Sequence, residues 1–165
     1  MNNFIGSIVL AIVVIFGYIS GPIYKNFETS DTYINTYVKV ITNDFQKNVR
    51  DCGYIDADMY NNYIDKLNKT GRMYDIEITY TQKLIYPNGA NNFKTYYVQH
   101  GNSEIFKTIF QNKQKYNMKY GDDFNIVVTE KQEENSRLLA SSLYLFSNDS
   151  IKLSFPYGGM IDNGS

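Results

Sequence analysis

Residues that could perform nucleophilic or metal chemistry are scarce in this sequence of 165 residues, which contains one histidine and one cysteine. His100 and Cys52 are far apart in the sequence, so no Cys–His pair of the kind that activates a thiolate is visible. A zinc site of the usual composition needs about four ligands, mostly Cys and His, and this supply is too small. Because His100 lies between a strand pattern and Gly101, we expect it to be a surface residue with a structural role.

Four short polar or glycine-containing stretches are candidates for metal, phosphate or charge sites. Asp56-Ala57-Asp58 begins like a calcium loop, but the fifth and sixth positions lack the oxygen ligand and the glycine that such a loop needs. Gly121-Asp122-Asp123 is expected to be a turn before a strand, and Glu130 to Glu134 a solvated connection. Gly158-Gly159 is too short for a phosphate-binding loop. The sequence therefore predicts no catalytic residue, no metal site, no cofactor and no enzyme.

Composition limits the remaining classes of function. The net charge is −1 and the pI is about 5.8, so the basic face typical of a nucleic-acid binder is not indicated. A single cysteine rules out an internal disulfide framework, so ordinary core packing must hold the fold. The 16 Tyr and 10 Phe supply all the aromatic content, because Trp is absent. The length fits one domain and an anchor.

The elements that must position any functional residue begin with an apolar segment, Phe4 to Tyr24. As an α-helix, its 21 or so residues span about 31 Å, close to the ~30 Å hydrocarbon core of a bilayer. No Lys or Arg precedes it, and Pro22 follows the small residues at which a signal peptidase would cut. We therefore expect residues 1–24 to be a retained transmembrane helix. Lys25 alone does not decide the orientation.

Small residues in this segment suggest a contact with other helices. Gly17 and Gly21 form a G-x-x-x-G pair, and Ser7 and Ala11 form a second small-x-x-x-small pair. Pro22 lacks an N–H and is expected to bend or loosen the helix. Gly17, Gly21 and Pro22 are the predicted helix-packing and assembly residues. The alternative is that they have no such role, since glycine is common in membrane helices.

Residues 25–52 are predicted to be a helical stalk. Thr29-Ser30-Asp31 offers an N-cap, and Gly53 is a natural stop. If the stretch from Tyr24 to Thr29 also stays helical, one long helix runs from the bilayer into the soluble part. Apolar residues recur at three- and four-residue spacing along one stripe: Ile34, Tyr37, Val38, Ile41, Phe45, Val49 and Cys52.

Residues 53–165 are predicted to form an exported α+β domain with short helices and an antiparallel sheet. Helical periodicity, alternation and turn signals predict the following elements: a helix from Asp56 to about Asn68, a strand from Tyr74 that extends to Tyr86, a turn at Pro87-Asn88-Gly89, a returning strand rich in Tyr and Thr from Phe93 to Gln99, a helix beginning at Ser103 with Ile105, Phe106, Ile109 and Phe110 facing inward, a strand around Phe124 to Val128, and a strand from Ile151 to Phe155. Arg137 to Phe146 is ambiguous between helix and strand, and we favour helix.

The tyrosine-rich hairpin offers one candidate binding surface. Tyr96 and Tyr97 could bind a glycan or a protein partner. We favour the alternative, in which one ring packs into the core and its neighbour faces solvent, because successive side chains of a strand point to opposite faces.

Several stretches, taken together with the N-terminal membrane helix, resemble small pilin-like membrane proteins of Gram-positive bacteria, which are encoded with Tad or type IV-like pilus and secretion machinery. They are Ile151-Lys152-Leu153-Ser154-Phe155-Pro156-Tyr157-Gly158-Gly159-Met160-Ile161, Gly53-Tyr54-Ile55-Asp56 through Leu67-Asn68-Lys69-Thr70-Gly71, and Tyr74-Asp75-Ile76-Glu77-Ile78. The resemblance implies that the soluble domain is exported. It also implies that the N-terminal helix anchors the protein in the membrane and is the element through which it assembles with other subunits. A typical type IV prepilin has a basic leader and a glutamate early in its helix, and this sequence has neither.

The expected function is that of a non-enzymatic, single-pass membrane protein acting as a minor pilin-like component of a surface filament or secretion apparatus. Its expected partners are the membrane and other pilin-like or assembly proteins, with no nucleic acid. Its expected location is the cell membrane, with the C-terminal domain extracellular. A membrane-anchored extracellular module that binds a ligand or partner is the alternative, and a small anchored enzyme comes after it.

Overall fold

The structure of the chain is a computed structural model that describes residues 2–89, 92–131, 135, 138–139 and 153–163. Its class is α+β, as the sequence predicts: a long apolar N-terminal helix precedes a small domain of short helices and antiparallel strands. The chain divides into two compact units, residues 1–36 with 133–151 and residues 37–132 with 152–165.

Helix α1 runs without a break from Asn2 to Cys52 and contributes residues to both units. The N-cap expected at Thr29-Ser30-Asp31 is not used as a helix start. The hydroxyls of Thr29 and Thr32 instead donate to the carbonyls of Lys25 and Glu28, each at 2.8 Å, which lets both side chains stay within a continuous helix. The predicted division into a membrane helix ending at residue 24, a stalk of residues 25–52 and a domain from residue 53 stays a prediction.

The second half of α1 supplies one wall of the core of the second unit. Val38, Ile41, Phe45 and Val49 are buried, which confirms most of the predicted stripe. Tyr37 and Cys52 are exposed, so their inclusion in that stripe is wrong. For Cys52 there is a clear cause. The reason is its position in the last turn, since the chain leaves the helix at Gly53, which has a φ of 71° and ends α1.

Helix α2 (Ala57–Asn68) packs its aromatic face against α1. Asp56 caps α2 by accepting a hydrogen bond from the Met59 N–H at 2.9 Å, as the sequence predicts. The Tyr63 ring stacks on Phe45 with 4.5 Å between centroids, and its hydroxyl lies 2.9 Å from the Thr42 hydroxyl. Tyr63 and Leu67 are the buried residues of α2.

A four-stranded antiparallel sheet faces these helices. Its strands are β2 (Tyr74–Pro87), β3 (Phe93–His100), β5 (Asp123–Glu130) and β6 (Ser154–Met160), in the order β3-β2-β5-β6. The predicted hairpin of β2 and β3 is confirmed, with Tyr80 opposite His100 and Pro87 opposite Phe93. Ile78, Phe124, Ile126 and Val128 are fully buried on the core face.

Three shorter elements complete the second unit. Strands β1 (Tyr54–Ile55) and β4 (Tyr116–Asn117) pair with each other. The sequence does not predict them, because a strand of two residues is too short to show an alternation pattern. Helix α3 (Asn102–Phe106) continues into a π-helical turn, Lys107–Gln111. Ile105 and Ile109 are buried, as predicted, whereas Phe110 is 40% exposed, so its predicted inward position is wrong.

The last strand lies later in the chain than predicted. The sequence places it at Ile151 to Phe155, whereas β6 begins at Ser154 and Ile151 is outside the described residues. Gly158 and Gly159 gave no alternation signal because they carry no side chain. A Cβ at Gly158 would overlap the Asn125 side chain, and one at Gly159 would lie 2.9 Å from the Arg50 guanidinium carbon.

The helix predicted for Arg137 to Phe146 lies mainly outside the described residues. Of that stretch only Leu138 and Leu139 are described, and both are helical. The rest of this prediction stays a prediction.

The predicted solvated connection at Glu130 is wrong, because Glu130 is buried. Its carboxylate lies 2.9 Å from the Arg72 guanidinium, and the two side chains are 1% and 7% exposed. Glu130 is the last residue of β5 and its side chain continues the inward-facing series of that strand. Burial removes both charges from water, and their mutual attraction offsets that cost only while both are present.

Candidate functional site

The apolar part of α1 is a candidate membrane span. Its most apolar window of 18 residues has a mean hydropathy of 2.3, and none of that window is buried. Length and composition therefore meet the requirement for crossing a bilayer. A signal sequence near the N-terminus meets the same requirement. Immediately after this segment, the Lys25 ammonium pairs with the Glu28 carboxylate at 2.9 Å.

Of the predicted assembly residues, Gly17 and Gly21 lie on one side of this helix, and Pro22 points about 120° away from them. A Cβ added at Gly17 or Gly21 would meet no neighbouring group within 4 Å, so both glycines face open space in the described structure. With about 100° of rotation per residue, the opposite side of the helix, centred roughly 150° from the two glycines, carries a different set of residues. An apolar groove of about 350 Å³ occupies that opposite side, and its lining residues are Ile12, Ile15, Phe16, Ile19, Ser20, Ile23 and Leu139.

The α1 segment therefore has two distinct sides. Leu139 reaches the groove side, whereas the small residues Gly17 and Gly21 leave a flat strip without a neighbour among the described residues. Such a strip is where another membrane helix can approach closely. Pro22 lies within α1, and the bend predicted at Pro22 stays a prediction.

Two open clefts lie among the described residues of the second unit. One, of about 430 Å³, lies between α1 and α2, with Asp44 and Asp58 at its rim and Phe45 and Tyr63 at its base. The other, of about 460 Å³, lies beside the start of α2. Within the described part of the chain, neither cleft is lined by His or Cys, and no group of three or more His, Cys, Asp or Glu is placed to hold a metal ion.

His100 is a partly covered structural residue and not the surface residue expected. Its side chain is 19% exposed, and its Nδ1 lies 2.7 Å from the Glu104 carboxylate. Its ring stacks on Tyr80, with 5.4 Å between centroids. His100 therefore ties the end of β3 to α3 and to the core.

Asp122 has a structural role that the turn prediction did not include. The turn itself is confirmed, with Gly121 at a φ of 83°. The buried Asp122 carboxylate accepts hydrogen bonds from the Tyr80 hydroxyl and, at 2.9 Å, from the Lys83 N–H. The Asp122 side chain thus bonds the edge of β2 at Lys83, just beyond Thr81, where the pairing with β5 ends.

Buried tyrosines predict a loss of stability at high pH. Burial, and secondarily the hydrogen bond to Asp122, raises the pKa of Tyr80 to about 12, from an ordinary value of 10.0. Burial also raises the pKa of Tyr63 and Tyr116. A raised folded-state pKa means that stability is complete below pH 10 and falls as the pH rises toward 12. We expect the melting temperature of the detergent-solubilised chain to fall in this window.

Tyr80→Phe should make that fall smaller, since one of the groups that resists ionisation is removed. Tyr120→Phe is the matched control, because the Tyr120 ring is exposed. Melts followed by circular dichroism, with tyrosinate absorbance recorded in parallel, measure the effect. A melting temperature that does not change across this window would contradict the assignment of a protective role to these buried phenols.

The distal parts of β2 and β3 form an exposed surface, which we call the aromatic arm: Gln82–Pro87 paired with Phe93–Val98. Tyr96 is 48% and Tyr97 64% exposed, so the expectation that one of them packs into the core is wrong. The reason is the register. β5 pairs with β2 only up to Thr81, and no third strand of the described structure lies beside the arm.

The arm presents exposed apolar side chains on both of its faces, together with one lysine on each, Lys83 and Lys94. Leu84, Tyr86, Tyr96 and Val98 continue the face that is buried in the rest of the sheet, and Tyr86 and Tyr96 meet edge to face at 5.8 Å. The opposite face carries three further exposed apolar or aromatic side chains, Ile85, Phe93 and Tyr97. A two-stranded hairpin of this kind is only marginally stable in water by itself. The arm is therefore a candidate interaction surface.

Asn102, which the sequence does not single out, binds the edge of β2 beside α3. Its side-chain amide accepts from the Ile78 N–H and donates to the Ile76 carbonyl, both at 2.7 Å. β3 ends at His100, so the Asn102 side chain supplies the hydrogen bonds that a longer β3 would have made to this part of β2. The only signal available was an asparagine next to Gly101 at the start of a helix.

No family model matches this chain, and comparisons with curated proteins and with solved structures likewise produced no match.

Proposed function

We propose that this chain is a non-enzymatic, single-pass membrane protein that acts as a minor pilin-like component of a surface filament or secretion apparatus, with its α+β domain on the extracellular side. The main support is the continuity of α1, a single helix of 51 residues. Its apolar first part is exposed, and its second part contributes buried residues to the sheet-containing unit. An exposed apolar helix of this length is stable in a bilayer or against other apolar helices.

The assembly part of the proposal depends on Gly17, Gly21 and Pro22. The two glycines face open space, so a neighbouring helix can approach their backbone closely. The proposed partners are the membrane and other pilin-like or pilus and secretion-assembly proteins, and no nucleic acid is proposed as a partner. The pilin-like part rests on the sequence resemblance, in which the N-terminal helix both anchors and assembles.

Cross-linking from the two sides of α1 tests the assembly role. Leu10 and Val14 lie on the same side of the helix as Gly17 and Gly21, and Ile12 lies on the groove side. A photoreactive amino acid at Leu10 or Val14 should give adducts of discrete mass with other membrane proteins, whereas the same residue at Ile12 should give far fewer. Adducts with lipid alone from all three positions, together with extraction as a monomer, would refute the assembly role.

The topology is tested through the single native thiol. Cys52 is exposed, so a membrane-impermeant maleimide can reach it without denaturation. With the domain outside, we expect labelling in intact cells whose wall has been opened. The matched control is Cys52→Ser combined with Tyr120→Cys, because Tyr120 is also exposed in the second unit. Labelling of both thiols only after lysis would place the domain inside the cell.

A second candidate function is a membrane-anchored extracellular module that binds a ligand or partner through the sheet. The observation that favours it is the exposure of Tyr96 and Tyr97 on the aromatic arm. Aromatic side chains that are rigid and already exposed are well suited to binding, since little conformational entropy is lost when they are covered.

A further inference from the structure

We propose that β3, the edge strand of the aromatic arm, pairs antiparallel with β3 of a second copy of this chain, with Tyr97 at the two-fold axis. This inference goes beyond the proposed function and does not depend on the membrane placement of α1. It assigns the exposed arm to an interface in which two sheets join edge to edge.

The hydrogen-bond register decides which backbone groups of β3 are available. The Asn88 N–H donates to the Asn92 carbonyl at 2.8 Å. Because hydrogen-bonded and non-hydrogen-bonded pairs alternate along an antiparallel ladder, the even-numbered residues of β3 direct their backbone N–H and C=O groups toward β2. The odd-numbered residues therefore turn their N–H and C=O groups to the other side, where the described structure has no strand. Thr95, Tyr97 and Gln99 thus form an open edge. Such an edge is a template for another extended strand.

The other edge of the sheet is closed to pairing. The Glu130 N–H donates to the Leu153 carbonyl at 2.9 Å. By the same alternation, the backbone groups of the odd-numbered residues of β6 point toward β5, and those of the even-numbered residues point outward. Pro156 is one of these outward residues, and it has no N–H to donate. A proline on an edge is a known means of preventing strand addition.

The second edge of the arm, on β2, is also obstructed. The Lys83 N–H is already bonded to the Asp122 carboxylate at 2.9 Å. Pro87, two pairing positions further along, has no N–H. Among the sheet edges described, β3 is therefore the one that offers consecutive free donors and acceptors. A second copy can meet it only with its own β3, which makes the contact symmetric and closed.

Side chains and charges fit this pairing. A two-fold axis at Tyr97 places Tyr96 opposite Val98 of the second copy, an aromatic and β-branched pair of the kind that stabilises sheets. It also places Lys94 opposite His100 of the second copy. That His100 lies 2.7 Å from the Glu104 carboxylate, so a negative charge is near each Lys94. Phe93 to Gln99 contains no carboxylate that would oppose the contact.

Disulfide trapping in the full-length chain, in native membranes, tests the register. With Cys52→Ser as background, Tyr97→Cys should cross-link efficiently under mild oxidation, because hydrogen-bonded pairs place Cα atoms about 5.5 Å apart, within the disulfide range. Thr95→Cys alone should not, since its copies would be four residues out of register, about 14 Å apart. Thr95→Cys combined with Gln99→Cys should cross-link, because these two positions face each other across the axis.

A proline variant tests the backbone contact itself. Adding Tyr97→Pro to the Thr95→Cys and Gln99→Cys reporter removes the outward N–H groups but leaves the bonds from Tyr96 and Val98 to β2. Cross-linking should fall roughly tenfold or more, because two hydrogen bonds between the copies are lost. Gly17→Leu with Gly21→Leu should leave the Tyr97→Cys cross-link unchanged, which separates this interface from helix assembly.

Two results would overturn the proposal. The first is equal cross-linking of Thr95→Cys and Tyr97→Cys, which indicates random collision or another register. The second is the absence of cross-links together with a monomeric chain after gentle extraction, in which case the edge serves a different protein or a lipid surface.

Discussion

Replacing Glu130 with leucine should destabilise the second unit by about 3–5 kcal/mol, because the buried Arg72 guanidinium would lose its carboxylate partner. Arg72→Met should cost a similar amount for the reciprocal reason. The double variant should regain most of the loss, since two apolar side chains of similar volume need no partner. Unfolding of the full-length chain in detergent, followed by circular dichroism and tyrosine fluorescence, measures these differences.

The matched control is the exposed ion pair next to Glu130 in the sequence. Lys131 lies 3.0 Å from Asp75, with side chains 51% and 74% exposed. Lys131→Met should therefore change the free energy of unfolding by less than about 1 kcal/mol. Equal effects of Lys131→Met and Glu130→Leu, or a double variant as unstable as the singles, would show that the buried pair is not what stabilises this part of the fold.

Gly17→Leu together with Gly21→Leu should reduce recovery of the chain in its membrane complex by roughly tenfold, a loss of about 1.4 kcal/mol, while leaving insertion unchanged. A Cβ at either glycine meets no neighbouring group within 4 Å, so the larger side chains cost nothing within one copy. Between helices they would separate two backbones that are expected to lie close together. Co-purification with partner membrane proteins at equal expression measures the effect.

Ser20→Leu is the matched control, since it adds similar bulk on the groove side of the same helix. It should preserve recovery. Pro22→Ala should have a milder effect than the double leucine variant, through the expected bend. If the double leucine variant assembles like the unchanged chain, the segment is only an anchor, and the partner-binding function becomes the better proposal.

The elements with strong local patterns could be predicted from the sequence. α2 was predictable because Asp56 supplies a cap and an apolar face follows at helical spacing. The β2–β3 hairpin was predictable because an alternating strand, the turn signal Pro87-Asn88-Gly89 and a stretch rich in Tyr and Thr follow one another. The sequence does not decide whether α1 is one helix or two, since Thr29-Ser30-Asp31 offers a cap that a continuing helix does not need.

The sequence by itself determined the apolar segment, the class of the fold and the positions of the main helices and strands, because these depend on periodicity within short windows. Only the tertiary structure decided which polar residues are buried. Glu130 belongs to a charged run, and its burial depends on Arg72, 58 positions away, which lies just before β2 and pairs with it where β2 and β5 meet. The exposure of Tyr96 and Tyr97 was decided by register. The alternation of a strand predicts that two successive side chains point to opposite faces of the sheet. The pairing of β5 with β2 ends at Thr81, however, so neither face of the arm packs against the core.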